Sequence, residues 1–426
     1  MKISKNKLLQ YITIYIMLIL NQSNLFRYFL MPYRIGILFL LGIVFLLLCS
    51  KKRVSSELYL LFLLASVVIV RFISGGTGLE TYADYAIPIM ITTIAVSVNP
   101  EQFIGRYIST VVFLSGISLI GVLLVLVSPG ILRALPISFV TGWGNSVWTS
   151  ATDYTTSFFK GYGVFLFSWI DRMGSGIRNV GIFTEPGIFQ MVINSALFCL
   201  LFMREYYDIN EKKVRRYLLI LAITMLTCQS TSGLLGMAAI FICAIILSKE
   251  LSDKVKKRVL GLVFLAIVAF GVDSIVRGEN SIFQSVIINK LVADDGAFSL
   301  ASSSSGMARI GTITVCLMLM VTHPLGLGTV ETSQRVLQAS SSNVAGALMS
   351  FGATMGVIPF IGTLVWLLRP VTKWRKSSIV KVLFLFLYLN TALAQSSAFY
   401  PALILVPVFL REAWKRDLRG EYYESC

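Results

Sequence analysis

The chain has 426 residues, 56% of them hydrophobic and only 14% charged, with a mean hydropathy of +0.78. Those values exclude an ordinary soluble globular protein and describe an integral membrane protein. The formal net charge of +16 would suggest nucleic acid on a soluble domain. Here the basic residues fall in short runs between apolar segments, so they are read as a topology signal and no nucleic-acid partner is expected.

The N-terminus, MKISKNK followed by the apolar run 8–20, imitates a secretory signal. The next residues, NQSNLFRYF, carry no small-residue cleavage site, so a retained first helix is expected. Further apolar runs follow at 35–49, 58–70, 85–98, 107–128, 186–203, 217–228, 233–247, 259–275, 344–368, 380–394 and 399–410. With interfacial flanks added they make about twelve spans of roughly twenty residues. Basic clusters at the N-terminus (Lys2, Lys5, Lys7) and at 51–53, 212–216, 254–258, 369–376 and 411–419 alternate with poorly charged loops. That alternation puts both termini in the cytoplasm.

Residues 310–320 are apolar but too few to span. At about 1.5 Å per residue they reach roughly half the hydrocarbon thickness, and a full span here would turn the later basic clusters outward. A re-entrant or peripheral half-helix on the outer side is expected, opened by a capped turn in the serine-rich stretch 299–306. The remaining chain forms two large outer loops, about 129–185 and 276–343. The expected architecture is thus an all-α polytopic membrane protein, a single integral membrane domain over 1–426. The cysteines, Cys49, Cys199, Cys228, Cys243, Cys316 and Cys426, show no CxxC pair, so neither a zinc site nor a disulfide framework is expected.

Topology rules leave outer loops poor in basic residues, yet Arg172 and Arg178 lie on the first and Arg277 and Arg309 on the second. A guanidinium fork matches phosphate or carboxylate oxygens two at a time, although salt bridging or snorkelling also accounts for such residues. Arg178 and Arg309 each come shortly before an apolar element that re-enters the membrane, near where a lipid-linked phosphate would sit. Arg309 would open the half-helix, whose free amides favour an anion. Glu185 precedes Pro186 at a helix start, where it can cap the amides, orient Arg178 or act as a base on a sugar hydroxyl. His323, the one histidine, sits in the turn THPLGLG of the second loop and is a candidate base. No Walker loop, GxGxxG, HExxH or GxSxG is present, so neither a nucleotide nor a metal cofactor is expected.

RNVGIFTEPGIF at 178–189, STSGLLG at 230–236 and HPLGLG at 323–328, the last followed by Asn343, Gly352 and Gly356, together resemble the bacterial polysaccharide polymerases and O-antigen ligases, the Wzy and WaaL type membrane glycosyltransferases. The resemblance implies a GT-C-like helical fold in the bacterial plasma (inner) membrane, with an outward-facing site. It implies an undecaprenyl-diphosphate-linked oligosaccharide as donor, no metal, and Arg178 on the donor diphosphate. Arg172 and Arg277 would help, and Asn343 would bind substrate. Ligases carry a histidine immediately before the matching asparagine; here that residue is Ser342, which favours a repeat-unit polymerase for O-antigen or capsule. A chain-length regulator is an expected partner. Ligase and lipid-linked oligosaccharide flippase or transporter are the alternatives, the last because about twelve spans is also a transporter count.

Overall fold

Prolines and a capping asparagine set where several helices of this chain begin. In the computed structural model, which describes residues 5–49, 55–128, 138–142, 158–162, 166–172, 176–248, 304–340, 347–393, 395 and 397–417, α1 (Lys5–Ile19), α2 (Arg34–Cys49), α3 (Ser55–Ser74) and α4 (Leu79–Val98) lead into α5 (Pro100–Val127). Pro100 opens α5 and Pro186 opens α6 (Pro186–Phe202), positions where a missing N–H is no loss. The Asn210 side chain accepts from the Lys212 amide and caps α7 (Glu211–Cys228). Gln229 at φ +50° ends α7 and lets the chain turn at once into α8 (Thr231–Leu247). The later helices are α9 (Ser304–Thr322), α10 (Thr329–Ser340), α11 (Ala347–Met355), α12 (Val357–Lys373), α13 (Ser378–Ala392) and α14 (Pro401–Asp417).

Four stretches, 31–48, 56–74, 79–98 and 100–127, are helical, long and apolar enough to cross a membrane, and shorter apolar helices include Pro186–Phe202, Thr231–Leu247 and Ser378–Ala392. The chain is therefore a mainly helical protein with membrane-spanning character. The expected span 259–275 lies outside the described residues. Elements run back and forth between two ends. At one end Gln10 Nε2 donates to the Asn99 carbonyl at 2.7 Å, and Lys376 pairs with Glu205 at 2.8 Å. This end carries the basic clusters 212–216 and 369–376. At the other, residues 22–24 beyond α1 meet 182–184 before α6 through a bridge between Ser23 and Phe183.

Three details go beyond the expectations. The chain is mainly helical, as expected of an all-α membrane protein, but the expected first outer loop carries regular structure of its own: β1 (Ser138–Gly142), β2 (Phe158–Tyr162), β3 (Phe167–Arg172) and β4 (Gly176–Gly181) form an antiparallel meander in the order β1-β2-β3-β4, with a bulge at Ser168/Trp169. Phe167 and Trp169 bury against Val122 and Val125 of α5. Gly121 makes that docking close, since a Cβ there would lie 2.4 Å from the Phe167 ring. Second, the helix around 310–320 extends beyond its apolar run: α9 has 19 residues, about 28 Å at 1.5 Å per residue, because it begins at Ser304 and not at 310, while its apolar part, Gly311–Thr322, stays short. Third, 344–368 is two helices, broken at Gly356.

That break is one half of an interlock. Gly356 (φ +93°) and Gly326 (φ +91°) cross backbone against backbone: a Cβ on Gly356 would lie 2.6 Å from the Pro324 carbonyl oxygen, and one on Gly326 2.6 Å from that of Thr354. Leu327 N and Gly328 N donate to the Ala353 and Thr354 carbonyls, and Val357 N donates back to Pro324. Only glycine fits such a crossing, so HPLGLG is a structural clasp between the α9–α10 turn and the α11–α12 break.

Candidate functional site

Arg178 and Asn179 are consecutive on β4 and therefore point to opposite faces of the strand. Arg178, half-buried, turns towards the end of α7: its Nη2 donates to the Gln229 carbonyl at 2.8 Å and its Nε approaches that of Cys228 at 3.4 Å. The last carbonyls of a helix lack intrahelical donors and carry partial negative charge, so a cation is favourable there. Asn179 is fully buried. Its Nδ2 donates to Ser118 Oγ on α5 and Thr227 Oγ1 on α7, each at 3.0 Å, while its Oδ1 accepts from Gly181 N at 2.9 Å. Gly181, at φ +57°, packs so tightly on the Phe189 ring that a Cβ would lie 2.9 Å from it. The residues RNVG thus tie sheet, α5, α7 and the start of α6 into one joint.

Beyond that joint, Glu185 is the residue before α6, with extended backbone (φ −143°, ψ 149°), but its side chain makes no capping hydrogen bond. The expected capping role does not hold. Gly187 brings the first turn of α6 onto the end of α13: a Cβ there would fall 2.2 Å from Gln395 Nε2. The same arrangement, a carboxamide resting on a glycine, recurs where Asn194 lies over Gly236, a Cβ there falling 2.4 Å from Asn194 Nδ2, and the aliphatic stem of Gln190 packs on Gly233, where a Cβ would fall 2.6 Å from that of Gln190. Gln190 Nε2 donates to the Gly187 carbonyl, and Asn194 Nδ2 to Gln190 Oε1 at 3.1 Å and to the Gly233 carbonyl at 3.2 Å. From α13, Asn390 Nδ2 donates to the Ser232 carbonyl at 3.0 Å, and Ala347 N at the head of α11 donates to the Gln395 carbonyl.

The result is a polar seam inside an apolar bundle, running from the 178–187 segment along α6, α8 and α13. A cavity of about 30 Å³, lined partly by Asn194, Ser195, Tyr388 and Thr391, adjoins it. Such groups are costly among apolar helices unless they bond one another or a ligand. Two of the three sequence segments, 178–189 and 230–236, are brought side by side here by contacts of Arg178 with Cys228 and Gln229 and of Gln190 and Asn194 with Gly233. Arg178 and Glu185 bracket the segment that carries them.

The other expected residues are distributed differently. Arg172 ends β3, opposite Gly176 and two rungs from the Ile170–Arg178 pair, so the sheet does bring its backbone beside Arg178. Arg309 stands in the second turn of α9 rather than opening it, which removes the free-amide argument for an anion at that residue. His323 follows α9 and lies next to Thr322 Oγ1, its Nδ1 at 2.8 Å. Its carbonyl accepts from Gly326 N, within the glycine clasp. Arg277 and Asn343 lie outside the described residues. Among the described residues no group of three His, Cys, Asp or Glu side chains gathers as a metal site. Sequence reasoning passed over Asn179, Gln190, Asn194, Asn390 and Gln395 because it searched for charge. Their signal was uncharged carboxamides placed inside otherwise apolar runs.

No protein-family model, curated protein or solved structure matches this chain.

Proposed function

We propose that this chain is a polysaccharide repeat-unit polymerase of the bacterial plasma membrane, with about twelve spans in the GT-C manner and cytoplasmic termini. It transfers glycan from undecaprenyl diphosphate to a lipid-linked oligosaccharide acceptor. The observation that carries this reading is the placement of Arg178, on the Cys228 and Gln229 carbonyls just before α8, and of Glu185, just before α6, at the end of the bundle away from the basic clusters, above a seam of carboxamides. A guanidinium is suited to a diphosphate, and Asn and Gln side chains, as combined donors and acceptors, are suited to sugar hydroxyls.

In this reading the acceptor hydroxyl attacks the anomeric carbon of the donor as the bond from that carbon to the diphosphate oxygen breaks. The hydroxyl proton passes to the Glu185 carboxylate, and undecaprenyl diphosphate leaves with the electron pair. Arg178 stabilises the charge developing on the leaving group. Two of its five N–H donors face the α7 carbonyls, which fixes the plane of the guanidinium before substrate arrives. Arg172, one strand away, and Arg277 supply further positive charge, and Asn343 and His323 act on the acceptor side. A chain-length regulator is the expected protein partner.

The test is reconstitution of the purified full chain in liposomes with a lipid-linked repeat unit. Polymer together with stoichiometric undecaprenyl diphosphate supports the reading. A chain that moves the lipid-linked unit between leaflets without releasing the carrier would make it a transporter instead.

A further inference from the structure

The turn NQSN between α1 and the helical segment at 26–30 concentrates several costly features. Asn21 is fully buried, and neither its Oδ1 nor its Nδ2 has a hydrogen-bond partner in the protein. Asn24 is also buried; its Nδ2 donates to Ser168 Oγ and to the Phe183 carbonyl, but its Oδ1 has no partner. Between them Gln22 adopts φ +60°, rare for a residue with a side chain. The chain then continues as a π-helix at Phe26–Leu30, a form enriched at functional sites. Buried carboxamides left unbonded and left-handed backbone are retained where something outside the chain completes them.

Position supplies the ligand. The turn is bonded to the segment after β4 that leads to the candidate site: Asn24 N donates to the Ile182 carbonyl, and Thr184 N to that of Gln22 at 3.2 Å. Asn21 and Glu185 are therefore each one residue beyond the last bonded pair, Gln22 and Thr184. We propose that Asn21, with Asn24 Oδ1 beside it, is a binding site for the neutral polar groups of a sugar, its hydroxyl or acetamido substituents, next to the carboxylate of Glu185. A carboxamide offers two donors and an acceptor with no charge, which suits a sugar and not the diphosphate. The proposal rests on the reading of the chain as a protein that handles lipid-linked glycan, and it adds the part of the site that reads the sugar.

Asn21→Leu keeps the shape and removes the amide. If the amide serves a ligand, the purified full-length variant keeps or raises its Tm without ligand. The wild-type chain gains several degrees of Tm from an undecaprenyl-diphosphate-linked repeat unit beyond the gain from undecaprenyl phosphate alone. Asn21→Leu loses that sugar-dependent part, and polymer falls at least tenfold in cells. A Tm lowered by several degrees without ligand would mean that the amide is held by a structural water, and the proposal falls. It falls equally if the variant keeps the sugar-dependent shift, or if wild type shows none. If the sugar-dependent shift is lost in Asn21→Leu while cells lacking the whole chain make a normal glycan ladder, the sugar site stands and the polymerase reading fails.

Discussion

Arg178 and Asn179 stand side by side and do different work. The arginine reaches two helix-end carbonyls at a partly open surface, where each charged bond is screened. The asparagine sits at zero exposure and completes three bonds. We expect Asn179→Leu to cost roughly 2–4 kcal/mol, because it leaves the Gly181 amide without an acceptor as well as removing two donors. Arg178→Ala should cost about 1 kcal/mol, read by denaturant or thermal unfolding in detergent, while on the proposed function it should abolish activity. Equal losses would mean that Arg178 is a structural joint like its neighbour. The arginine could be singled out from the sequence since charge on an outer loop is anomalous. Asn179 could not, because its importance depends on Ser118 and Thr227, 61 and 48 residues away.

The helices of this chain are separated by glycines at contacts that the chain order does not reveal. Hydropathy located the apolar runs, since burial in lipid needs little beyond length and apolar content. It placed the start of α9 six residues late, because SSGMAR is not apolar yet is helical up to Ser304. The meander was invisible for a related reason: its strands are only five or six residues long, and what stabilises them is Phe167 and Trp169 settling on α5. HPLGLG, a candidate site segment by sequence, is a clasp by geometry. Gly356→Ala should therefore destabilise by ~1–3 kcal/mol from backbone strain alone, with the clash against Pro324 added, and the folded fraction in detergent should fall. Gly233→Ala, whose Cβ would meet Gln190 at 2.6 Å, should cost about 1–3 kcal/mol through overpacking. A Gly233→Ala chain of unchanged stability would show that α6 and α8 separate freely and that the carboxamide seam is not tightly held.

For the molecule as a whole, contacts join helix ends that the basic residues assign to a common side: 10 with 99, 205 with 376, 23 with 183. Those shared ends agree with the charge pattern, whereas the convergence of 178–187, 229–236 and 390–395 could not be read from it. Which end faces outward is a prediction of the proposed reading, made from the positive-inside rule. A cysteine introduced at exposed Tyr33 should react with a membrane-impermeant thiol reagent in intact spheroplasts, and one at exposed Asp208 only after permeabilisation. The reverse pattern would put the candidate site in the cytoplasm, away from any exported lipid-linked glycan. The most direct measurement of the central claim is the size ladder of surface glycan in cells lacking the chain, complemented with wild type or with Arg178→Ala. A single repeat on its acceptor in the deletion, a full ladder restored by wild type and none by a stably made Arg178→Ala are the predicted results. Long lipid-linked polymer persisting unattached in the deletion, or a full ladder from Arg178→Ala, would contradict the account.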